Sequence, residues 1–294
     1  MKIIAIILLS LTSLPVFAAL DTNQIEQIVG SKGEWNAAEG VYKITSPRTD
    51  VKVIVDGWRM PPFMGLTSWA AFTEGNKANA MVMGDTVLFQ DEVNAAMSVA
   101  LDNGLSVTAL HNHFFYDDPK VFFMHISGEG TVEQLAAAVK KIWDKTKEIR
   151  TANPQLATTF GGAALPATNT ITGKSIEDIL GVKGQANNGM FKVVVERKTK
   201  MPCDCEIGKD MGVNTWAAFA GTDDNALVDG DFAVEENELL PVLKSLRHDG
   251  INIVAIHNHM TQENPHILFL HYWGRGSTTV LAKSLKAALD FRSK

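Results

Sequence analysis

Two stretches decide how this sequence is read: TALHNH at residues 108–113 and VAIHNH at residues 254–259. The residues that follow them match at the same offset, since Pro119 corresponds to Pro265 and His125 corresponds to His271. Self-similarity at a fixed offset is the signature of an internal repeat. The sequence therefore predicts one folding unit that is present twice.

The repeat extends over most of the chain. WAAF at residues 69–72 recurs at 216–219, and IEQIVG at 25–30 recurs as IEDILG at 176–181. Residues 151–171 carry no charged side chain and are rich in Ala, Thr, Gly and Pro, a composition typical of a linker. We therefore expect a first repeat over residues 19–150, a linker over 151–171 and a second repeat over 172–294.

Each copy has the pattern of an α+β domain. Segments with helical periodicity, which end at residues that terminate helices such as Asn103-Gly104, alternate with short runs of β-branched residues. This interleaving favours a mostly antiparallel sheet with helices, and the His-x-His stretch on a strand, over a doubly wound parallel sheet. The predicted helices span residues 22–29, 90–102 and 132–149 in the first copy, and 235–247 and 279–291 in the second.

Six of the eight histidines form two matched triples. Alternate residues of a strand point to the same face, so His111 and His113 project together. If the chain turns back about residue 118, His125 lies directly opposite His111 and joins them. Three imidazoles facing one point suit Zn, Cu, Ni, Fe or Mn better than Ca²⁺ or Mg²⁺, and the sequence does not distinguish among the first five. The same turn in the second copy groups His257, His259 and His271.

The helix that precedes each histidine strand offers an acidic fourth ligand. Glu92 and Glu238 occupy equivalent positions there, and a carboxylate beside three histidines serves as an oxygen ligand or as a general base. At a helix N-terminus the same carboxylates also stabilise the helix dipole without touching a metal. The matched pair Gly84-Asp85, repeated as Gly230-Asp231, is interpreted as a turn.

Two interpretations of the histidine triples without a metal stay open. The imidazoles of a buried polar network hydrogen-bond one another, and those of a cleft bind a small ligand directly. Arg48 and Arg197 occupy corresponding places and either clamp an anionic ligand or form structural ion pairs. Cys203 and Cys205 occur in the second copy only, as a redox-labile disulfide, a soft-metal site or two idle thiols.

Composition excludes several classes of protein. The net charge of −6 and a pI near 5.8 argue against a nucleic-acid partner, because phosphate binding needs a basic surface. Two cysteines in 294 residues exclude a disulfide-dense scaffold. Beyond the N-terminus, no stretch is apolar and long enough for a transmembrane segment.

The N-terminus predicts export. Lys2 precedes an apolar run that is too short to span a bilayer, and Val16-Phe17-Ala18 suits cleavage by a signal peptidase after Ala18. We therefore expect residues 1–18 to be a signal peptide and the mature protein to be periplasmic or secreted.

Several motifs together are similar to those of the LppY/LpqO family, and the likeness covers essentially the whole mature chain. They are PRTD at 47–50, WAAF at 69–72, MGD at 83–85, LHNH at 110–113, MGVNTWAAF at 211–219, HNHM at 257–260 and FLHYWG at 269–274. The resemblance implies an exported, internally duplicated protein and brings no established reaction. The named members look like lipoproteins, and this chain departs from them because it lacks a lipobox cysteine.

Our sequence-based hypothesis is an exported, soluble protein with a duplicated His-rich site that binds a transition metal. One form is a metal-dependent enzyme with an open coordination position, and another is a metal carrier with a filled coordination shell. The alternative is a metal-free module that binds an envelope glycan or a small anionic ligand.

Overall fold

The computed structural model describes residues 20–75 and 78–292. The predicted signal peptide, residues 1–18, lies outside the described residues. Within the described ranges, no helix has both the length and the apolar character needed to cross a membrane. The described chain is a mixed α+β fold in which the same series of elements occurs twice.

Helices lie at the places that the sequence predicts, with small shifts at their ends. The Asp21 side chain caps the first helix, and Gly30, at a φ of 79°, ends it in the left-handed region that favours glycine. Gly181 ends the corresponding helix of the second copy in the same way. The helices are Thr22–Val29 (α1), Val93–Asp102 (α2), Val132–Ala152 (α3), Gly173–Leu180 (α4), Glu236–His248 (α5) and Thr278–Leu289 (α6).

The strands also occur in corresponding sets. Those of the first copy are Gly33–Asn36 (β1), Val41–Pro47 (β2), Ile54–Val55 (β3), Trp58–Arg59 (β4), Thr67–Glu74 (β5), Ala80–Phe89 (β6), Ser106–His111 (β7), Asp117–Asp118 (β8) and Val121–Gly130 (β9). Those of the second are Gly184–Asn187 (β10), Met190–Glu196 (β11), Thr199–Lys200 (β12), Glu206–Ile207 (β13), Asn214–Gly221 (β14), Ala226–Glu235 (β15), Asn252–His257 (β16) and Ile267–Gly276 (β17). Single turns of 3-10 helix lie at Pro62–Met64 and Lys209–Met211.

The two copies share one antiparallel sheet. Its twelve strands follow the order β1-β2-β5-β6-β9-β7-β16-β17-β15-β14-β11-β10, which presents equivalent strands when it is read from either end. At the centre, β7 of the first copy meets β16 of the second through the pair Leu110–Ile256. The α+β class, the two tandem copies and the mostly antiparallel sheet are thereby confirmed.

Side chains from the helices strengthen this central joint. The Asn94 amide of α2 donates to the carbonyl of Ile253 at 3.1 Å and accepts from its N–H at 2.7 Å. The Arg247 guanidinium of α5 donates to the Ser98 hydroxyl at 3.1 Å. These contacts join the two copies beside the strand pair and satisfy backbone groups of β16 that β7 does not reach.

The two faces of the sheet differ. The helices pack on one face, where Leu110, Met124 and Ile256 are buried in the main apolar core. The histidines are one residue out of step with these positions, so they point to the opposite face. On that face each copy builds a small second core near the end of its histidine hairpin, with Phe123 in the first copy and Phe269 in the second.

The histidine hairpin has a register that differs from the predicted one. His111 lies opposite Phe123, and His125 lies opposite Ala109. The Asp117 carboxylate accepts a hydrogen bond from the N–H of Val121 at 2.7 Å and closes the turn one residue earlier than predicted. His111 and His125 therefore share a face as diagonal neighbours, and the prediction that they pair directly is wrong. The second copy repeats the pattern, with His257 opposite Phe269 and His271 opposite Ala255.

The interpretation of Gly84-Asp85 as a turn is also wrong. Both residues lie within β6, where Gly84 pairs with Ala70 and Asp85 pairs with His125. A Cβ atom on Gly84 would come within 2.8 Å of the Trp69 carbonyl oxygen, so glycine serves here for close approach between strands. The equivalent Asp231 lies within β15, opposite His271.

Glu92 lies in a buried ion cluster. Arg48 donates to its two carboxylate oxygens at 2.8 and 2.9 Å, and Arg150 donates to one of them at 3.2 Å. The backbone N–H of Phe89 adds a further hydrogen bond at 3.0 Å. These donors saturate the carboxylate, so the prediction that Glu92 is a metal ligand is wrong.

The second copy repeats this arrangement with Glu238. Arg197 donates to its carboxylate oxygens at 2.5 and 2.8 Å, and the N–H of Glu235 donates to it at 2.9 Å. The prediction that Glu238 is a metal ligand is corrected for the same reason. Arg197 also pairs with the Glu235 carboxylate at 2.7 Å.

Arg48 and Arg197 are structural ion-pair residues and not anion clamps. Burial by itself lowers the pKa of Arg48, but its bonds to Asp50 and Glu92 outweigh burial and raise that pKa. The pKa of Arg197 is likewise raised, since Glu238 and Glu235 outweigh the effect of burial. Both guanidinium groups are held by carboxylates of their own copy, which supports the structural ion pair among the two alternatives that the sequence left open.

We expect Glu92→Gln to lower the free energy of unfolding by about 3–5 kcal/mol, because removal of one partner of a buried ion pair leaves uncompensated charge. Urea unfolding followed by circular dichroism measures the change. Glu39→Gln, on an exposed turn, is the control and should change stability by less than about 0.5 kcal/mol. Equal unfolding free energies for the two variants would contradict the structural role of Glu92.

Candidate metal centre

The site of the second copy is built from three neighbouring strands. Asp231 on β15 lies directly opposite His271 on β17, so their side chains share a face of the sheet. His257 is the last residue of β16, and His259 follows two residues later in the loop. Strand alternation therefore carries His257 and Asp231 to the same face, and the loop adds His259.

Three donor atoms converge here. One ligand atom each from Asp231, His257 and His259 lie within 4.8 Å of one another, the one such group of His, Cys, Asp and Glu side chains in residues 20–75 and 78–292. The Nε2 atom of His259 lies 3.2 Å from Asp231 Oδ2 and 3.2 Å from His257 Nε2. Two donors on a tetrahedral ion with bonds of about 2.0–2.1 Å lie about 3.3 Å apart, which agrees with both distances.

A backbone carbonyl fixes the tautomer of His259. Its Nδ1 lies 3.1 Å from the carbonyl oxygen of Gly212, and since a carbonyl only accepts, Nδ1 carries the proton. The Nε2 atom of the neutral ring therefore presents a lone pair to Asp231 and His257. Such an outer hydrogen bond orients histidine ligands in metal sites.

Protein hydrogen bonds do not satisfy this group. The Asp231 side chain is only 3% exposed, and its Oδ1 atom has no hydrogen-bond partner among the described residues. The Nε2 lone pair of a neutral His259 can accept a hydrogen bond from His257, but the same lone pair then repels the Asp231 oxygen beside it. A buried carboxylate needs a compensating charge, and a cation shared by the three atoms supplies it.

The surroundings keep His257 in the neutral form that a metal requires. Burial lowers the pKa of His257, Asp231 opposes the shift, and the nearby His271 and His259 reinforce it. His259 is stacked on Phe269, with ring centroids 3.5 Å apart, and its side chain is 32% exposed. The group is thus held against an apolar wall and is reached from solvent through His259.

His271 lies at the edge of this group and does not belong to it. Its ring stacks on that of His257 with centroids 4.6 Å apart, and its Nδ1 lies 3.4 Å from the Gly230 carbonyl oxygen. The structure therefore brings the predicted second triple together as two converging donors and one stacked neighbour.

The first copy has the same side chains, but no three of their donor atoms in the described residues converge as those of the second copy do. His111 lies 5.1 Å from His113 and 5.1 Å from His125 between ring centroids, and His113 stacks on Phe123 at 3.3 Å. Burial lowers the pKa of His113, and His111 acts in the same direction while Asp85 opposes it. The Oδ1 atom of buried Asp85 has no hydrogen-bond partner in the described chain. The first copy thus repeats the components of the site without the convergent donor geometry.

The carboxylates that the structure adds are Asp85 and Asp231. Sequence reasoning found both as matched residues of the repeat but placed them in turns. Strand alternation could have indicated their true position. Asp85 follows Met81 and Met83 at alternate positions of β6, on the face away from the helices. In the first copy the acidic residue thus comes from β6, which lies two strands away from the β7 strand of His111 in the sheet. It does not come from Glu92 at the start of α2.

Cys203 and Cys205 form a disulfide in an exposed loop between β12 and β13. Their Cα atoms are 5.2 Å apart. The loop belongs to the second copy, whose β12 contacts the histidine hairpin through the bridge between Lys200 and Asn264. The two sulfur atoms are bonded to each other in this structure, as in the disulfide alternative.

No curated protein matches this chain. Among solved structures, "Crystal structure of a trimeric bacterial microcompartment shell protein PduB" covers 88% of this chain and 89% of that chain at 10% identity, with a TM-score of 0.21. A TM-score this low carries no argument about fold or function.

A family comparison agrees with the duplication of the strands and helices. The family described as "Domain of Unknown Function (DUF1259)" matches residues 23–145 and, a second time, residues 174–291. The chain therefore belongs to this family and contains two tandem copies of its domain.

Proposed function

We propose that this protein is an exported metal-binding protein whose second copy holds a transition metal ion with Asp231, His257 and His259. The observation that carries the proposal is the convergence of the three donor atoms within 4.8 Å around a buried carboxylate. The Oδ1 atom of this carboxylate has no hydrogen-bond partner among the described residues, and a divalent cation would compensate the carboxylate and use the lone pairs of all three donors.

The donor set limits the metal. Two imidazole nitrogens and one carboxylate oxygen suit Zn, Fe, Mn, Ni or Cu(II), whereas Ca²⁺ and Mg²⁺ prefer oxygen ligands alone. Two of the three separations between donor atoms, from His259 to Asp231 and from His259 to His257, are 3.2 Å and fit tetrahedral Zn²⁺. We therefore take Zn²⁺ as the first ion to test.

The site supports a metal-dependent enzyme better than a closed carrier. Three protein donors leave a coordination position, which is typical of catalytic zinc sites, and His259 is open to solvent. A metal in such a site supplies a Lewis acid that polarises a substrate or a water molecule. His271, stacked beside His257, is the group in place to accept a proton or to become a fourth ligand.

Two observations support export of the protein. The N-terminal residues 1–18 have the sequence of a signal peptide, and the Cys203–Cys205 disulfide suits an oxidising compartment. The metal-free alternative, a module for an envelope glycan or a small anionic ligand, is the function that remains if no metal binds.

We expect Asp231→Asn to weaken Zn²⁺ binding by more than about 100-fold, because it removes the charge of a metal ligand. Loss of a residue that only hydrogen-bonds a ligand costs roughly 10–100-fold, which is the smaller effect. Isothermal titration calorimetry of the mature chain measures the affinity. The matched control is Asp229→Asn, two residues earlier on the same face of β15, which should keep the wild-type affinity. Wild-type protein that binds neither Zn²⁺ nor another of these five metals would refute the proposed function.

We expect the two copies to bind Zn²⁺ unequally. The donors of the second copy are already gathered, whereas those of the first must move, and ordering them on binding costs affinity. His257→Ala should remove the tighter binding step in calorimetry, and the equivalent His111→Ala should leave it in place. Loss of the tighter step in His111→Ala, with that step retained in His257→Ala, would show that the stronger site lies in the first copy and would contradict this prediction.

We expect the mature protein to begin at Ala19. Expression of the whole sequence in a bacterium with a periplasm, followed by fractionation and N-terminal sequencing, tests this. The chain should appear in the periplasm or the medium, because the apolar run and the cleavage motif direct export. A cytoplasmic chain that retains Met1 would contradict the proposal.

A further inference from the structure

The two cysteines of the chain lie at the tip of a hairpin in the second copy, where they form a disulfide. Cys203 and Cys205 follow the end of β12 and precede β13, and both residues are exposed. The two strands pair up to Lys200 and Glu206, so the turn that joins them protrudes from a regular strand pair. We call residues 201–205 the cysteine tip. Its disulfide is accessible to a reagent from solvent.

Backbone hydrogen bonds close the cysteine tip without help from the disulfide. The N–H of Met201 donates to the Cys205 carbonyl at 3.0 Å, and the N–H of Asp204 donates to the Met201 carbonyl at 2.9 Å. Asp204 has a φ of 59°, a left-handed conformation that aspartate tolerates and that three-residue hairpin turns use. The tip therefore has the hydrogen bonds and the backbone conformation of an ordinary hairpin turn.

The first copy forms the equivalent hairpin without a cysteine. There β3 pairs with β4 and leads into the first 3-10 turn, as β12 and β13 lead into the second. Its connection is Asp56-Gly57, with both residues at a positive φ. Counted back from the two 3-10 turns, Trp58 stands where the second copy has Cys205. The fold of the hairpin therefore does not require a disulfide.

A disulfide at this place also contributes little to stability. A cross-link stabilises a fold mainly by restricting the unfolded chain, and the effect grows with the length of the loop that it closes. Only Asp204 lies between the two cysteines, so the bond restricts very little of the unfolded chain. Structural disulfides resist reduction by glutathione, whereas exposed ones are the labile and catalytic ones. Exposure and the short loop both point to a chemical role.

We propose that the Cys203–Cys205 disulfide is a redox site that oxidises pairs of thiols in other polypeptides. The tip protrudes at the end of a hairpin, so a large substrate can reach both sulfur atoms. Neither cysteine belongs to the group of Asp231, His257 and His259, and the proposal goes beyond the metal site and does not depend on it.

The charges of the hairpin do not select against either sign of substrate. Residues 198–206 carry Lys198 and Lys200 against Asp204 and Glu206, and all four are exposed. Lys198 is paired with Glu206 at 2.7 Å. The local charge is therefore balanced, and access to the sulfur atoms is what the tip offers.

The exchange balances in atoms and electrons. A substrate thiolate attacks one sulfur atom of the pair, a mixed disulfide forms, and the other cysteine leaves as a thiolate. A second substrate thiolate then attacks the substrate sulfur of the mixed disulfide and releases the first cysteine. The substrate thus gains a disulfide and loses two electrons, which Cys203 and Cys205 take up with two protons as thiols. Glutathione disulfide restores the pair by the same steps in reverse.

Reduced glutathione is the first probe of this site. The full mature chain is incubated in native buffer with millimolar reduced glutathione, and the free thiols are alkylated and identified by mass spectrometry. We expect both cysteines to become alkylated, because the disulfide is exposed. Cys205→Ser, incubated with glutathione disulfide, should trap glutathione on Cys203 as the mixed disulfide.

Reduced ribonuclease A is the second probe, and it separates oxidation of a polypeptide from exchange with a small thiol alone. Recovery of ribonuclease activity is followed in a buffer of reduced glutathione and glutathione disulfide. We expect the wild-type chain to speed recovery at least about tenfold over the variant Cys203→Ser with Cys205→Ser. The matched control is Trp58→Ser, at the corresponding place of the first copy, which should be as active as the wild type.

Urea unfolding followed by circular dichroism separates a redox role from a structural one. The double-serine variant should unfold at nearly the same urea concentration as the oxidised chain, and so should a wild-type chain whose cysteines are reduced and alkylated. Three results would overturn the proposal. They are a disulfide that resists reduced glutathione in the folded chain, equal ribonuclease recovery with the wild type and the double-serine variant, and a clearly lower unfolding concentration without the disulfide.

Discussion

The pairing of Leu110 with Ile256 is the contact on which the rest of the architecture depends. It joins the histidine strand of one copy to that of the other, and so turns two six-stranded halves into one sheet. Because the joined residues face the helices, the histidines that follow each of them face the other way. Both candidate sites therefore lie on the same side of one sheet, related by its approximate two-fold symmetry.

Two matched pairs of buried carboxylates in this fold have different surroundings. Glu92 and Glu238 are neutralised by arginine side chains, and their role is to hold the helix against the sheet. Asp85 and Asp231 face histidines, each with an oxygen that lacks a hydrogen-bond partner in the described residues. A buried charge without compensation is costly in a purely structural role, whereas it is useful where a cation binds. This difference supports the aspartates over the glutamates as the carboxylates of the proposed metal site.

The two copies have the same strand order and the same buried charge clusters, and they differ in the residues around their sites. The strand order, the glutamate–arginine clusters and the histidine positions agree between the copies. The donors converge within 4.8 Å in the second copy, where the Gly212 carbonyl orients His259, and no such group forms among the described residues of the first copy. The loops beside the sites differ as well, since the first copy exposes Phe63, Phe115 and Tyr116 where the second has Asp210, Thr261 and Gln262.

The sequence by itself determined the duplication, the α+β class and the positions of the helices. These follow from local periodicity and from residues that recur at a fixed offset, and both are properties of the chain alone. The sequence predicted each His-x-His on a strand, but His113 and His259 lie in the loops that follow β7 and β16. The tertiary structure decided which residues lie opposite each other in the sheet and which side chains pair with each carboxylate. The turn at Asp117 sets a register that makes His111 and His125 diagonal neighbours. Strand pairing brings Asp231 to the histidines, while Arg197 holds Glu238. Such choices depend on contacts between residues far apart in the chain, whose register and charge partners no local pattern specifies.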